Sequence, residues 1–389
     1  METQKFRTRT EFIKKKNGSC EGSWVIGADI GYSGVKLLSP NQIATFPSYA
    51  KRISEDFAFA GQPPKEAILY KDNKTGEMWL IGEIAQNTIE TGNTSDSEAS
   101  LYGRERYQDP MFKVLLRAGL GTTLRSNEFG GPGKSNIVVQ TGLPEMYMND
   151  EDDLREAFTG EHAFSLKIGN GNWLDFDFVL NDKDIYVMSQ PKGTLFSTCI
   201  DSEGRYTKDA RNILSSSIII FDPGFGTLDL FLINNGVVVR GETFSDLGMK
   251  RILQETSSQI YKDFKVEIAV PAMQKYLQAG TVRYFNRKTL ESREYEFADI
   301  LSLASDKICD EALNRMSNAV NLADYNYIAI TGGTGAAWYK HIEDKFKGLS
   351  TLKILRGNQN DESLPFIYSN ARGYYYYRLN KELRKLKAA

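Results

Sequence analysis

The stretch Asp29-Ile30-Gly31-Tyr32-Ser33-Gly34-Val35-Lys36-Leu37 aligns without gaps on Asp222-Pro223-Gly224-Phe225-Gly226-Thr227-Leu228-Asp229-Leu230. Each copy ends a short apolar run with Asp, places Gly two residues later and an aromatic next, and then resumes the apolar pattern. Such a run bounded by turn residues reads as a buried strand, and two runs around a glycine tip read as a hairpin. The copies lie 193 positions apart in a chain of 389 residues. That spacing, about half the chain, is what two related halves would show, each offering one equivalent loop to a shared cleft.

The residue types suit a phosphate and a metal. Glycines at the tip let backbone N–H groups close in on an anion. An Asp at each strand end, facing the other across a cleft, is unfavourable unless a cation lies between them. Mg2+ keeps most of its waters and binds through one or two carboxylates plus phosphates, so Asp29 and Asp222 suit its hydrated ion. Lys36 is placed to neutralise β- and γ-phosphate charge, and Thr227 can add a hydroxyl hydrogen bond. A third stretch, Ile330-Thr331-Gly332-Gly333-Thr334-Gly335, stands between a strand and a helix and allows close approach to an adenosine or an α-phosphate. It lacks the Gly-Lys-Ser/Thr of a Walker A loop and is not the dinucleotide fingerprint. A single Asp-x-Gly turn is ordinary hairpin chemistry; the reading rests on the aligned pair.

Outward from these loops, apolar runs predict strands over 23–29, 35–38, 136–140, 185–188, 218–221, 228–233, 237–240 and 327–330. Helical spacing predicts helices over 248–262, 300–320, 336–345 and 370–387, and residues 92–97 and 128–134 read as loops. Interleaved strands and helices indicate an α/β fold.

Composition excludes other classes. The chain is 41% hydrophobic and 25% charged, ordinary for a globular protein, and long enough for two domains. No apolar run approaches the ~18 residues of a membrane helix, and residues 1–20 hold no apolar signal region, so a soluble cytoplasmic protein is expected. The three cysteines, Cys20, Cys199 and Cys309, form no C-x-x-C pair, which argues against zinc ribbons, iron–sulfur clusters and disulfide frameworks. Neither histidine, His162 or His341, lies near a nucleophile elbow, so both read as packing or surface residues. Six basic against three acidic side chains in residues 1–23, and five against one in 375–389, leave the body between them at −9 of the overall −2. An acidic body argues against direct nucleic-acid contact, and the basic ends read as solvated tails.

Two Asp-x-Gly hairpins in order, followed by a strand–Gly-Gly–helix element, resemble the ATPase superfamily of actin, the heat-shock chaperones and the sugar kinases. Residues 137–148 (IVVQTGLPEMYM), 187–190 (VMSQ), 219–230 (IIFDPGFGTLDL), 241–248 (GETFSDLG), 327–335 (YIAITGGTG) and 369–377 (SNARGYYYY) are similar to bacterial plasmid-segregation actins of the ParM type. The resemblance implies an actin-like (ribonuclease H-like) fold whose duplicated domains flank a nucleotide cleft. It implies a first domain over 24–212, a second over 213–365, a terminal helix over 366–389 packing back on the first, and a flexible extension over 1–23 that has no family role. Asp29 and Asp222 would position hydrated Mg2+. Gly31, Tyr32, Ser33 and Lys36, with Gly224, Gly226 and Thr227, would hold the β- and γ-phosphates of ATP (or GTP). Gly332, Gly333 and Thr334 would line the adenosine, with Gly248 close by. Gln190 would orient the attacking water, since an amide cannot take its proton, while Asp229 reads as structural. The implied activity is nucleotide hydrolysis coupled to homopolymer filaments that move plasmid DNA through a DNA-binding adaptor on a centromere-like site, without direct nucleic-acid or membrane contact. The alternatives are a small-molecule kinase of the same fold, which the neutral Gln190 disfavours, another bacterial cytoskeletal actin, and a weakly hydrolysing nucleotide-dependent scaffold.

Overall fold

The structure is a computed structural model that describes residues 3–89, 104–125, 130–286 and 288–388. The first half opens with β1 (Glu11–Lys14), β2 (Ser23–Ile30), β3 (Gly34–Leu38) and β4 (Gln42–Pro47). Next come β5 (Ala50–Ile53), β6 (Ile68–Asp72), β7 (Met78–Ile81), β8 (Asn136–Leu143), β9 (Gly160–Ile168), β10 (Leu174–Leu180) and β11 (Ile185–Ser189). The second half supplies β12 (Ser217–Pro223), β13 (Leu228–Asn234), β14 (Val237–Phe244), β15 (Thr281–Asn286), β16 (Glu291–Glu296), β17 (Tyr327–Ile330) and β18 (Lys353–Arg356).

Two sheets share one plan. The first runs β1-β4-β3-β2-β8-β11 and the second β14-β13-β12-β17-β18. In each, three consecutive strands make an antiparallel meander, and two later strands add in parallel on its first strand. Without β1, the strand orders and directions are identical, so the duplication seen in the hairpins extends to whole sheets. Between the parallel strands the chain must cross over, which brings helices onto the sheet faces and buries the strands on both sides. Ile218, Ile219, Ile220 and Phe221 of β12 are accordingly fully buried. A smaller sheet, β10-β9-β6-β7-β5, is built from segments inserted in the first half, and β15–β16 form a separate hairpin in the second.

Helix Pro110–Leu124 packs on β2, β3 and β4. Its start is fixed by Asp109, whose side chain accepts from the Met111 N–H at 2.7 Å, and by Pro110 in the first turn. Helix Ser369–Ala388 packs against β2, β8 and helix Gln190–Thr198. Buried Arg372 of that helix donates to the carbonyls of Ser197, Ile200 and Asp201 at 2.6–2.8 Å. Among the described residues no helix is long and apolar enough to cross a membrane. Cys20, Cys199 and Cys309 are buried and free, as packing residues would be.

Two expectations need correction, and one unassigned stretch is a helix. Residues 1–23 are not a loose basic tail: from Thr3 onward they form a 3-10 turn (Thr3–Phe6), place buried Phe6 in the core of the second half, and add β1 to the edge of the first sheet. The Gly332-Gly333 stretch is the first turn of helix Gly332–Phe346 rather than a loop before a helix at 336. Gln190 likewise opens helix Gln190–Thr198, which the sequence reading leaves unassigned. The loop expected over 92–97 lies outside the described residues, and that over 128–134 is described from Gly130 as irregular chain.

Candidate functional site

Both hairpins end at one cavity of about 630 Å3. Their tips are built alike: Gly31 N–H donates to Gly34 O at 3.1 Å, and Gly224 N–H to Thr227 O at 2.8 Å. Their ladders are also in equivalent register, pairing Asp29 with Lys36 and Asp222 with Asp229. The repeat therefore sets a cation beside the first strand-end acid and a second acid beside the other. Lys36 Nζ lies 3.3 Å from Asp29 Oδ2. Asp229 instead accepts from Thr227 at 3.0 Å and Thr243 at 2.5 Å, so its carboxylate braces the second hairpin even though it lines the cavity.

Asp222 accepts from Asn370 Nδ2 at 3.1 Å. Burial and then the neighbouring Asp229 raise its pKa from 3.8 to about 7, against the Asn370 bond, with Asp29 adding to the rise. Burial raises Asp229 to about 6, opposed by its two threonine bonds. In both cases the folded chain holds a proton that the unfolded chain has lost. Stability of the cation-free protein should therefore fall as pH climbs from about 4 through about 7. Melting temperatures without nucleotide are expected to drop between pH 5 and pH 8, while Mg2+ with nucleotide restores more stability at pH 8 than at pH 5. A flat profile in both series would contradict this coupling.

The residues fit a hydrated divalent ion. Tyr374 OH is buried without a hydrogen-bond partner among the described residues, and its electrostatic neighbours are Asp29 and Asp222. Two carboxylates with the spare Tyr374 hydroxyl in their field suit a cation that keeps its waters. Among the described residues no cluster of three or more His, Cys, Asp or Glu side chains could hold a metal directly.

Asp29, Gly31, Tyr32, Ser33, Lys36, Gln190, Asp222, Gly224, Thr227, Gly332, Gly333 and Thr334 all line the cavity. Gly226 and Gly248 do not. The helix that starts after Gly248 directs its first N–H groups, from Met249 and Lys250, to the Gly224 and Phe225 carbonyls at 3.1 and 2.8 Å. Its positive end thus fixes the second hairpin from behind. Thr334 Oγ1 is similarly committed, donating to Gly224 O at 2.9 Å. Gly332 has φ of +75°, and a Cβ there would stand 2.7 Å from Asp222 Oδ1, so only glycine fits beside this acid.

Sequence reasoning missed Arg106, Asn370 and Tyr374. Arg106 is buried, donates to Ile30 O at 2.9 Å, and lies 4.7 Å from the Tyr32 ring centroid, holding the first hairpin by its carbonyl and its aromatic. Nothing in its neighbourhood of sequence marks that contact. Asn370 and Tyr374 lie inside the 369–377 stretch already noted for its resemblance, so a signal for them was present.

The family described as "Actin like proteins N terminal domain" matches residues 27–193. No curated protein matches in sequence. Among solved structures, a non-polymerisable quadruple mutant of pCBH ParM is 18% identical, with TM-score 0.69 over 92% of this chain and 99% of that one. A 15-stranded ParM filament from Clostridium botulinum gives 18% identity and TM-score 0.67 over the same shares. An archaeal actin homologue in complex with ADP gives 14% identity and TM-score 0.61, covering 92% of this chain and 99% of that one. The duplicated sheets and the paired hairpins give this chain the fold of the ParM-type actin-like proteins, and its residues 27–193 match the N-terminal domain family of the actin-like proteins.

Proposed function

We propose that the chain is a nucleoside triphosphatase that takes ATP (or GTP) with Mg2+ between domains spanning 24–212 and 213–365, and that nucleotide state controls its assembly into homopolymer filaments. The observation that carries this reading is the meeting of two equivalent hairpins at one cavity, with Asp29 and Asp222 as the paired strand-end acids. A bound Mg2+ would supply the positive charge that lets both acids ionise together and would draw charge from the phosphates.

The chain's own groups do the rest. N–H groups at the hairpin tips face phosphate oxygens, and Lys36 adds a cation beside Asp29. Asn370 holds the second acid through its hydrogen bond, and the buried Tyr374 hydroxyl stands in the field of both acids. Gln190, at the head of its helix, orients water for in-line attack on the γ-phosphorus: the new O–P bond forms as the bond to the β-phosphate oxygen breaks. The water's protons pass to phosphate and solvent, because the amide cannot accept them. Positioning of this kind supplies most of the acceleration in phosphoryl transfer.

Gln190→Ala is expected to slow steady-state phosphate release by roughly 10²-fold while nucleotide affinity stays near that of the parent. Turnover unchanged in this variant would remove Gln190 from the mechanism and favour a nucleotide-binding scaffold. Filament formation is suggested by the Clostridium botulinum ParM filament on the same fold. By the same likeness we propose a cytoplasmic role in plasmid segregation, with DNA reached through an adaptor, as the acidic body of the chain suggests. Phosphate release assayed beside sedimentation, with ATP and with GTP, tests both halves of the reading.

A further inference from the structure

The N-terminal segment spans the site. At one end Thr3 Oγ1 donates to Leu277 O at 2.8 Å, Phe6 is buried against the second half's core, and Thr8 N–H donates to Gln274 Oε1 at 3.1 Å. At the other end Thr10 N–H donates to Glu83 Oε2 at 3.2 Å, and β1 pairs with β4, setting Glu11 opposite Thr45. Glu11 also accepts from Tyr368 OH at 3.1 Å. Between these anchors the segment lines the same cavity as the two hairpins. Thr8 Cγ2 lies 3.0 Å from where a Cβ on Gly34 would stand, so the chain rests on the tip of the first hairpin.

One side chain in this span is only partly used. Arg7 pairs through Nη2 with Glu83, its side chain is 6% exposed, and it lines the cavity. Its Nε–H is buried without a partner among the described residues. A guanidinium has five donors in a planar fork, so one edge can stay on Glu83 while Nε–H serves an anion.

We propose that residues 3–14 form a strap that closes the phosphate end of the cleft, with Arg7 donating to a phosphate oxygen of the nucleotide, so that nucleotide leaves only when residues 3–8 release the second domain. This rests on the nucleotide reading above and adds to it a device that the duplicated hairpins do not contain. Among the described residues the strap holds the second half through the buried Phe6 ring and three hydrogen bonds, from Thr3, Gln4 and Thr8, which can break locally without unfolding either sheet. It thereby sets how long a subunit keeps its nucleotide.

The test is release of N-methylanthraniloyl-ATP with Mg2+ from the full chain, chased with unlabelled ATP in stopped flow. Unhooking the strap with Thr3→Ala and Phe6→Ala together is expected to speed release by about tenfold or more, and Arg7→Gln by about threefold or more. Rates within about twofold of the parent in both variants would overturn the strap and leave the nucleotide reading standing. Failure of the parent to bind the probe at all would overturn both. If the double variant does not fold, hydrogen exchange on the unmodified protein decides: the Thr8 amide should exchange more slowly with Mg2+ and ATP than without. Equal exchange in the two states would overturn the proposal.

Discussion

Asp222→Ala is expected to lower nucleotide turnover by about 10²- to 10³-fold, the effect of removing a preorganised charge from a water-poor site. Asp222 is the acid on which the second hairpin, the terminal helix and the Gly332 turn converge. It lies at the end of β12, it accepts from Asn370 at 3.1 Å, and a Cβ on Gly332 would stand 2.7 Å from its Oδ1. Its loss would leave Asp29, already paired with Lys36, as the one strand-end acid facing a bound cation. The fold should tolerate the change, because burial already disfavours the charge and drives the pKa to about 7. A folded Asp222→Ala protein that releases phosphate at the parent rate would place the reaction elsewhere. Asp222→Asn should behave similarly, since an amide keeps the shape and the Asn370 contact but offers no charge to the ion.

Gly373→Ala is the largest expected effect on stability. A Cβ on Gly373 would stand 1.8 Å from Gly193 O, where helix Ser369–Ala388 crosses helix Gln190–Thr198. Helix propensity favours Ala over Gly by about 1 kcal/mol. The clash is with backbone, so no side chain can swing away, and overpacking of this sort costs about 3 kcal/mol. The clash wins, and a melting temperature lower by roughly 5 °C or more is expected. Turnover should fall as well, because the displaced helix carries Asn370, the hydrogen-bond partner of Asp222, into the cleft. A variant that melts with the parent would show that the crossing can relax.

The readable parts of this protein are those whose chemistry is local. A hairpin tip needs its glycines and a strand-end acid within nine residues, so Asp29–Leu37 and its copy reveal both loops and the cleft they share. The strand before Gly332 and the terminal helix carry their own apolar spacing and were legible for the same reason. The small inserted sheet was not, since its strands pair across wide gaps: β6 with β9, for example, joins Ile68 to Ile168. Nor was the role of residues 3–14, whose anchors lie 266 and 274 positions away at Gln274 and Leu277. Thr, Gln and Arg in such a segment look like any solvated tail until the fold brings their partners to them. Gly226 and Gly248 fit the motif yet lie outside the cavity lining, and Gly248 heads the helix whose first N–H groups hold the second hairpin.

Sedimentation of the purified full chain with Mg2+ and ATP, GTP, ADP or no nucleotide, with phosphate release followed in the same samples, bears most directly on the central claim. The expected result is polymer that pellets with a triphosphate, declines as phosphate appears, and is absent without nucleotide. Protein that stays in the supernatant at high concentration under every condition, or pellets equally with and without nucleotide, would contradict nucleotide-controlled assembly.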